Sequence, residues 1–355
     1  MCSRHHRRWA SIPRRCCRIS LDIRHSRSPS CTRLAQSAEP QDPTGATPME
    51  SIVITEVALR DGLQNQAVTV ATPDKLQLIR LLAQAGVTSL EATSFVSPKA
   101  VPQMADAAEL VPQVLSALPD LRMSVLVPNA KGLERAHAAG AQEIAVVLSA
   151  TETMNRKNIN MSLAQATDVS EQTLQAARAR GLRTRAYVAV AFDCPFEGAV
   201  PLDVVAGLSR RMLDAGAQEI VIADTIGSAS PGQVKQRLGT LTQCVPAQQL
   251  AVHFHDTRAM GVANAWAALE AGIRRFDASV GGIGGCPFAP GAAGNVATED
   301  LVLMAGQSGL RCGIDINGLL DAIAFAEQLL QRRLGGRAIT WLQRQRDKGV
   351  AALAA

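Results

Sequence analysis

A closed barrel of eight parallel strands ringed by helices, an α/β architecture, is what this sequence predicts, and three observations carry it. The first is a repeating unit in which a helix-like stretch ends in a small residue and Gly, and a β-branched strand follows within a few residues. The second is size: eight such strand-like stretches over about 250 residues match a (β/α)8, or TIM, barrel. The third is placement. Polar residues gather at the C-terminal ends of many different strands, where a closed barrel carries its functional face. An open doubly wound sheet is the competing arrangement, but no GxGxxG follows the first strand to mark a dinucleotide site.

The strands are expected at Ile52–Val57, Val87–Phe95, Met123–Val127, Glu143–Leu148, Thr184–Ala191, Glu219–Ala223, Leu250–His255 and Arg275–Val280. Five of them follow a Gly that reads as a left-handed helix cap: Gly86, Gly140, Gly181, Gly216 and Gly272. Helical stretches such as Pro73–Ala85 and Leu202–Ala215 lie between strands, and alternation of this kind implies a parallel sheet. Asn317–Leu334 reads as an extra C-terminal amphipathic helix that covers one face of the barrel. The expected organisation is a head (1–48), a catalytic barrel with its extra helix (49–340) and a tail (341–355).

Composition narrows the function. The chain has 355 residues, 47% hydrophobic and 19% charged, which suits a globular enzyme with a large core. Aromatics make up only 3%, too few for a surface that stacks on nucleic-acid bases. No apolar run is long enough to span a membrane. The formal charge of +5 comes from residues 1–48, which hold nine Arg and only Asp22, Glu39 and Asp42 as acids. The remainder has 27 basic and 28 acidic residues, so nothing in it calls for a polyanionic partner. The Arg- and Ser-rich head has two readings. One is an organelle transit peptide, placing the protein in the mitochondrial matrix. The other is a start at Met49, just before the first strand, which makes the protein cytoplasmic. Under both, the head is expected to be disordered and outside the fold. Of eight Cys, four fall in the head, while Cys194, Cys244, Cys286 and Cys312 are scattered through the body. Without a CxxC pair they indicate neither a zinc knuckle nor a disulfide framework, and a reducing compartment follows.

Chemistry concentrates in a few places. In His253-Phe254-His255-Asp256 the two imidazoles sit at i and i+2 of a strand and face the same side. Core histidines satisfied by hydrogen bonds are the plain alternative, but two adjacent, same-facing imidazoles are costly to bury without a ligand or charge to meet. Arg60-Asp61 ends the first strand and by itself reads as a salt bridge. Beside the two histidines, Asp61 becomes an anionic oxygen for an octahedral divalent site, and mixed oxygen and imidazole donors suit Mg2+ or Mn2+. Gly281-Gly282-Ile283-Gly284-Gly285-Cys286-Pro287 lacks the ending of a nucleotide P-loop and reads as a mobile loop carrying one gated thiol, with a structural thiol as the alternative. Glu91 and Asp224 sit at strand C-termini, as supports for the site or as structural ion-pair partners.

These segments resemble one known family. RDGLQNQ at Arg60–Gln66, SFVSPKAVPQM at Ser94–Met104, KNIN at Lys157–Asn160, ADTIG at Ala223–Gly227, HFHDT at His253–Thr257 and GGCPFAPGAAGNVATED at Gly284–Asp300 are all similar to hydroxymethylglutaryl-CoA lyases. The likeness spans about Ile52 to Leu334, and the Cys-bearing segment is its most specific part. It implies a divalent-metal-dependent carbon–carbon lyase that splits 3-hydroxy-3-methylglutaryl-CoA into acetyl-CoA and acetoacetate, a step of leucine degradation. It implies Asp61, His255 and Asn295 as metal ligands, with His253 as a fourth ligand or a proton-transfer group. Arg60 would bind substrate and stabilise the thioester enolate. Cys286 would transfer a proton, with His253 as the other donor. Glu56, assigned to substrate binding, would support the site together with Glu91, Asp224 and Glu299. An acyl-CoA is then the small-molecule partner, and a homodimer is open. Departures include Gln66 for the usual Glu, Ala223 for the usual Gly, Arg258-Ala259-Met260 for Tyr-Gly-Gln, and Pro290 for a polar residue. None removes a ligand, but they leave room for a lyase acting on a related thioester such as citramalyl-CoA. A condensing synthase of the wider superfamily, or a barrel that only binds acyl-CoA, are the remaining alternatives.

Overall fold

The computed structural model describes residues 50–285 and 294–349. The Arg-rich head, Cys286 with Pro287 and Pro290, and the last residues of the expected tail lie outside the described residues.

Eight parallel strands close a barrel. They are β1 (Val53–Glu56), β2 (Ser89–Ser94), β3 (Arg122–Leu126), β4 (Glu143–Ser149), β5 (Arg183–Ala189), β6 (Glu219–Asp224), β7 (Leu250–Phe254) and β8 (Arg275–Ala278). Each lies within two residues of its expected bounds. Neighbours in the barrel are neighbours in sequence, and β8 pairs with β1 through Val53 opposite Arg275 to close the ring. The five expected cap glycines all take positive φ, from 76° to 109°. That conformation ends each helix and turns the chain back into the barrel.

The barrel has two apolar regions with different jobs. The large core lies between strands and helices, filled by residues such as Leu59, Ile79, Leu90, Ile144, Ile220 and Phe276. Inside the barrel, Ala145, Tyr187, Val221 and Ala251 form a separate small cluster. The rest of the interior that concerns the site is polar. Thr55 meets Ser89, and Arg185 is held between Glu219 at 2.6 Å and Asp277 at 2.8 Å.

Local structure differs from expectation in instructive places. β1 stops at Glu56, and Arg60 and Asp61 lie on a π-helical turn, Ala58–Gly62. There the N–H groups of Arg60, Asp61 and Gly62 all point to Val57 O. The wider turn, a feature often found at functional sites, brings two successive side chains to the barrel mouth. The KNIN segment lies on a short helix, Glu152–Ile159, and its left-handed cap Asn160. A two-stranded hairpin, Asp193–Cys194 with Gly198–Ala199, follows β5. The extra helix forms at Ile316–Leu330. It packs beside Thr72–Gln84 in the outer ring, where Asp315 N donates to Ala85 O at 2.7 Å. Gln331 in the left-handed region stops it short of Leu334. The boundary expected at 340 falls within another helix, Ile339–Asp347, which buries Leu342. No helix among the described residues is long and apolar enough to cross a membrane.

Candidate metal centre

The C-terminal ends of β1, β7 and β8, with Glu91 from the middle of β2 rather than its expected C-terminus, bring together Arg60, Asp61, Glu91, His253, His255 and Asn295. Asp61, His253 and His255 each offer one donor atom, and the three atoms lie within 4.8 Å of one another. His253 and His255 are buried, with ring centroids 5.2 Å apart. Their same-side placement is the strand alternation expected at His253, with His255 just beyond the end of β7. Asn295 pairs with His255 as an isolated antiparallel bridge. Its side-chain nitrogen donates to Asp61 Oδ2 at 2.9 Å and to Ile283 O at 3.2 Å. Its carbonyl oxygen Oδ1 is buried and accepts no hydrogen bond. A buried acceptor left bare costs stability unless a cation or donor meets it. With one carboxylate, two imidazoles and this amide oxygen, the residues fit a divalent cation that takes mixed oxygen and nitrogen donors.

Arg60 anchors the other side of the mouth. Its Nε and Nη2 both reach Glu91 Oε2 at 2.6 Å, and Nη1 reaches Asp61 Oδ1 at 2.6 Å. Burial alone would raise the Asp61 pKa, but the charges of Arg60 and the two histidines outweigh it and hold the carboxylate down. Glu91 goes the other way: full burial raises its pKa despite Arg60. At His253 burial lowers the pKa, yet the hydrogen bond to Asp277 and the nearby Asp61 more than offset it, so the net shift is upward.

The remaining expected site residues sit behind this group. Glu56 is fully buried and accepts from Ala58 N, Val280 N and Thr298 Oγ1. Burial pushes its pKa up to about 7, with those donors opposing the rise. Its oxygens are thus engaged beneath the mouth, tying β1 to the end of β8 and to the helix Thr298–Gln307. Glu299 is held the same way by Gly281 N and Gly336 N, and burial raises it to about 7. Asp224 closes its own turn, accepting from Ser228 N and Ala229 N at 3.0 Å each, and burial raises its pKa. Gly227 in that turn has φ 63°, and a Cβ there would lie 2.8 Å from His255 O. The glycine lets the ADTIG turn pass against the backbone of the histidine strand. Gly294 serves similarly beside Asn295, since a Cβ would come within 2.0 Å of Gly282 O.

Three participants were not singled out from the sequence. Asp277 on β8 faces His253 Nδ1 at 3.3 Å, accepts from Tyr187 Oη at 2.7 Å, and binds Arg185. Arg185 and Tyr187 alternate on β5, so they share its inner face. That period of two, a charge and a phenol within Arg183–Ala189, was the signal available. Their partner Asp277 alternates with Arg275 in the same way on β8.

The family model described as HMGL-like matches residues 51–325. A mitochondrial hydroxymethylglutaryl-CoA lyase of Bos taurus is 44% identical over 288 residues, 81% of this chain and 88% of that protein. The crystal structure of the Bacillus subtilis HMG-CoA lyase superposes with a TM-score of 0.80 at 41% identity, covering 83% of this chain and 98% of the other. An HMG-CoA lyase from Acinetobacter baumannii, solved in complex with coenzyme A and 3-methylmalate, gives a TM-score of 0.79 at 38% identity over 83% of this chain and 96% of that one.

Proposed function

The chain belongs to the HMGL-like family, and from that premise we propose that it cleaves 3-hydroxy-3-methylglutaryl-CoA to acetyl-CoA and acetoacetate with the help of a divalent cation. The observation that carries the reading is the convergence of Asp61, His253 and His255 beside the Arg60–Glu91 pair. Asp61, His255 and Asn295 are the proposed holders of the cation, Mg2+ or Mn2+. When bound, such a cation polarises the oxygens it contacts and orients the substrate.

The residues of the chain supply the rest. Cleavage needs a base for the 3-hydroxyl proton, a group to meet negative charge on the thioester enolate, and a donor to quench it. His253, at the mouth beside Asp61, is the proposed acceptor of the hydroxyl proton. Arg60 carries a fixed positive charge that meets the enolate oxygen as charge develops, and Glu91 and Asp61 hold its guanidinium in place beforehand. Cys286, on the segment between Gly285 and Gly294, is the proposed donor to the enolate carbon, a role that rests on its motif. Glu56, Glu299 and Asp224 support the backbone around the mouth.

Substrate choice is tested with purified protein, Mg2+ and a panel of 3-hydroxyacyl-CoA thioesters. The reading expects the highest kcat/KM for 3-hydroxy-3-methylglutaryl-CoA. A larger kcat/KM for citramalyl-CoA would reassign the substrate, and condensation without cleavage would reassign the reaction.

A further inference from the structure

The interior of the barrel carries a continuous charged column beneath the proposed metal centre. It begins at Glu219, passes through Arg185 to Asp277, and ends at His253. Every member is at least nine-tenths buried. Asp277 is the junction: Oδ1 accepts from Arg185 Nη2 at 2.8 Å, and Oδ2 accepts from Tyr187 Oη at 2.7 Å and faces His253 Nδ1 at 3.3 Å. The Tyr187 and His253 rings meet edge to face with centroids 6.1 Å apart, which limits rotation of the imidazole. The opposite ring atom, Nε2, lies 3.9 Å from Asp61 Oδ2.

We propose that Asp277 is a positioning residue that holds His253 with its proton on Nδ1, leaving Nε2 bare toward Asp61. The argument is one of donors and acceptors. A carboxylate paired with a buried guanidinium is ionised and can only accept. The ring nitrogen facing it must therefore carry a hydrogen, and in the neutral ring Nε2 then has its lone pair free. Ligation of a cation and acceptance of a proton both require that lone pair, so Asp277 serves either role of His253. Arg185 and Tyr187 act through Asp277, fixing its two oxygens. A carboxylate behind a metal-binding imidazole has this orienting effect wherever it occurs, and losing it typically weakens metal binding by about 10- to 100-fold. Here the carboxylate comes from the neighbouring strand β8, in register with His253 through the Asp277–His253 pair.

The inference rests on the proposed role of the centre, yet its test reads the imidazole directly. Two-bond 1H–15N spectra of the full-length, histidine-labelled protein with excess Mg2+ in alkaline buffer report which nitrogen carries the proton. The His253 signals are assigned by difference against His253→Gln. A protonated Nδ1 with an unprotonated Nε2 is expected, and a proton on Nε2 overturns the proposal whether or not any variant folds. Asp277→Asn, which keeps the size of the side chain, should raise the Kd for Mn2+ about tenfold or more and mix the tautomers. A folded Asp277→Asn protein with unchanged tautomer and unchanged Mn2+ affinity also overturns it. The Nδ1–H form in a protein that turns over no thioester would instead remove the proposed function and leave the positioning intact.

Discussion

Arg60 and Glu91 form a closed, buried pair at the barrel mouth, with Nε and Nη2 of the arginine both 2.6 Å from Oε2 of the glutamate. The fork is therefore committed on one side to Glu91, and Nη1 is directed to Asp61.

From this geometry Arg60→Met should lower kcat by about 10²- to 10³-fold, the usual loss when one preorganised donor to a developing oxyanion is removed. It should also destabilise the fold by about 3 kcal/mol, because Glu91 is left buried without its partner. Steady-state kinetics and urea unfolding measure the two effects. A change confined to KM would mean that Arg60 binds substrate uniformly and that another group meets the enolate.

Asp61→Ala or His255→Ala should abolish both bound divalent metal and turnover. Each removes one of the converging donors identified at the mouth. Metal content by elemental analysis, beside the cleavage assay, checks this, and full activity with normal metal content in either protein contradicts the site assignment.

Glu299 gives a pH prediction with a definite sign. Its pKa is raised from the usual 4.5 to about 7 by burial, so the folded state holds the proton more tightly than the unfolded state. Its contribution to stability is full below pH 4.5 and is lost as the pH rises from there to about 7. Glu299→Gln cannot ionise, so the stability of this variant relative to the parent should increase across that interval, by up to about 3 kcal/mol. Denaturant midpoints across that interval test it, and a flat difference would place the carboxyl in a normal, ionised state.

Cys286→Ser should lower kcat by orders of magnitude while metal content and substrate affinity change little. A hydroxyl nearly matches a thiol in size but is far less acidic, so it transfers a proton poorly at neutral pH. Wild-type kcat in this variant would make the thiol structural.

The barrel itself was legible because its units announced themselves locally: a strand-like stretch in each, and in five of the eight a Gly cap just before it. The His253–His255 pair was legible because strand alternation fixes relative direction without any knowledge of neighbours. Asp277 was not, since its meaning comes from Arg185, 92 residues away on another strand. The π-helical turn at Ala58–Gly62 was also hidden, because nothing in ALRDG distinguishes a five-residue turn from an ordinary helical start. The extra helix was recognised as amphipathic, but which surface its apolar stripe meets depends on Ala85 and Gly318 approaching closely, a tertiary fact. Glu56 was assigned to substrate binding from the family resemblance, which carries no information about which way its side chain turns. The structure turns it inward, where Val280 N and Thr298 occupy it.

The most direct test of the account is the product balance from 3-hydroxy-3-methylglutaryl-CoA. Acetyl-CoA and acetoacetate should form in equal amounts, stop on chelation of divalent metal, and resume when Mg2+ or Mn2+ is restored. Equal product formation that survives complete metal removal would contradict the role given to Asp61, His255 and Asn295, and the absence of both products with metal present would contradict the lyase reading itself.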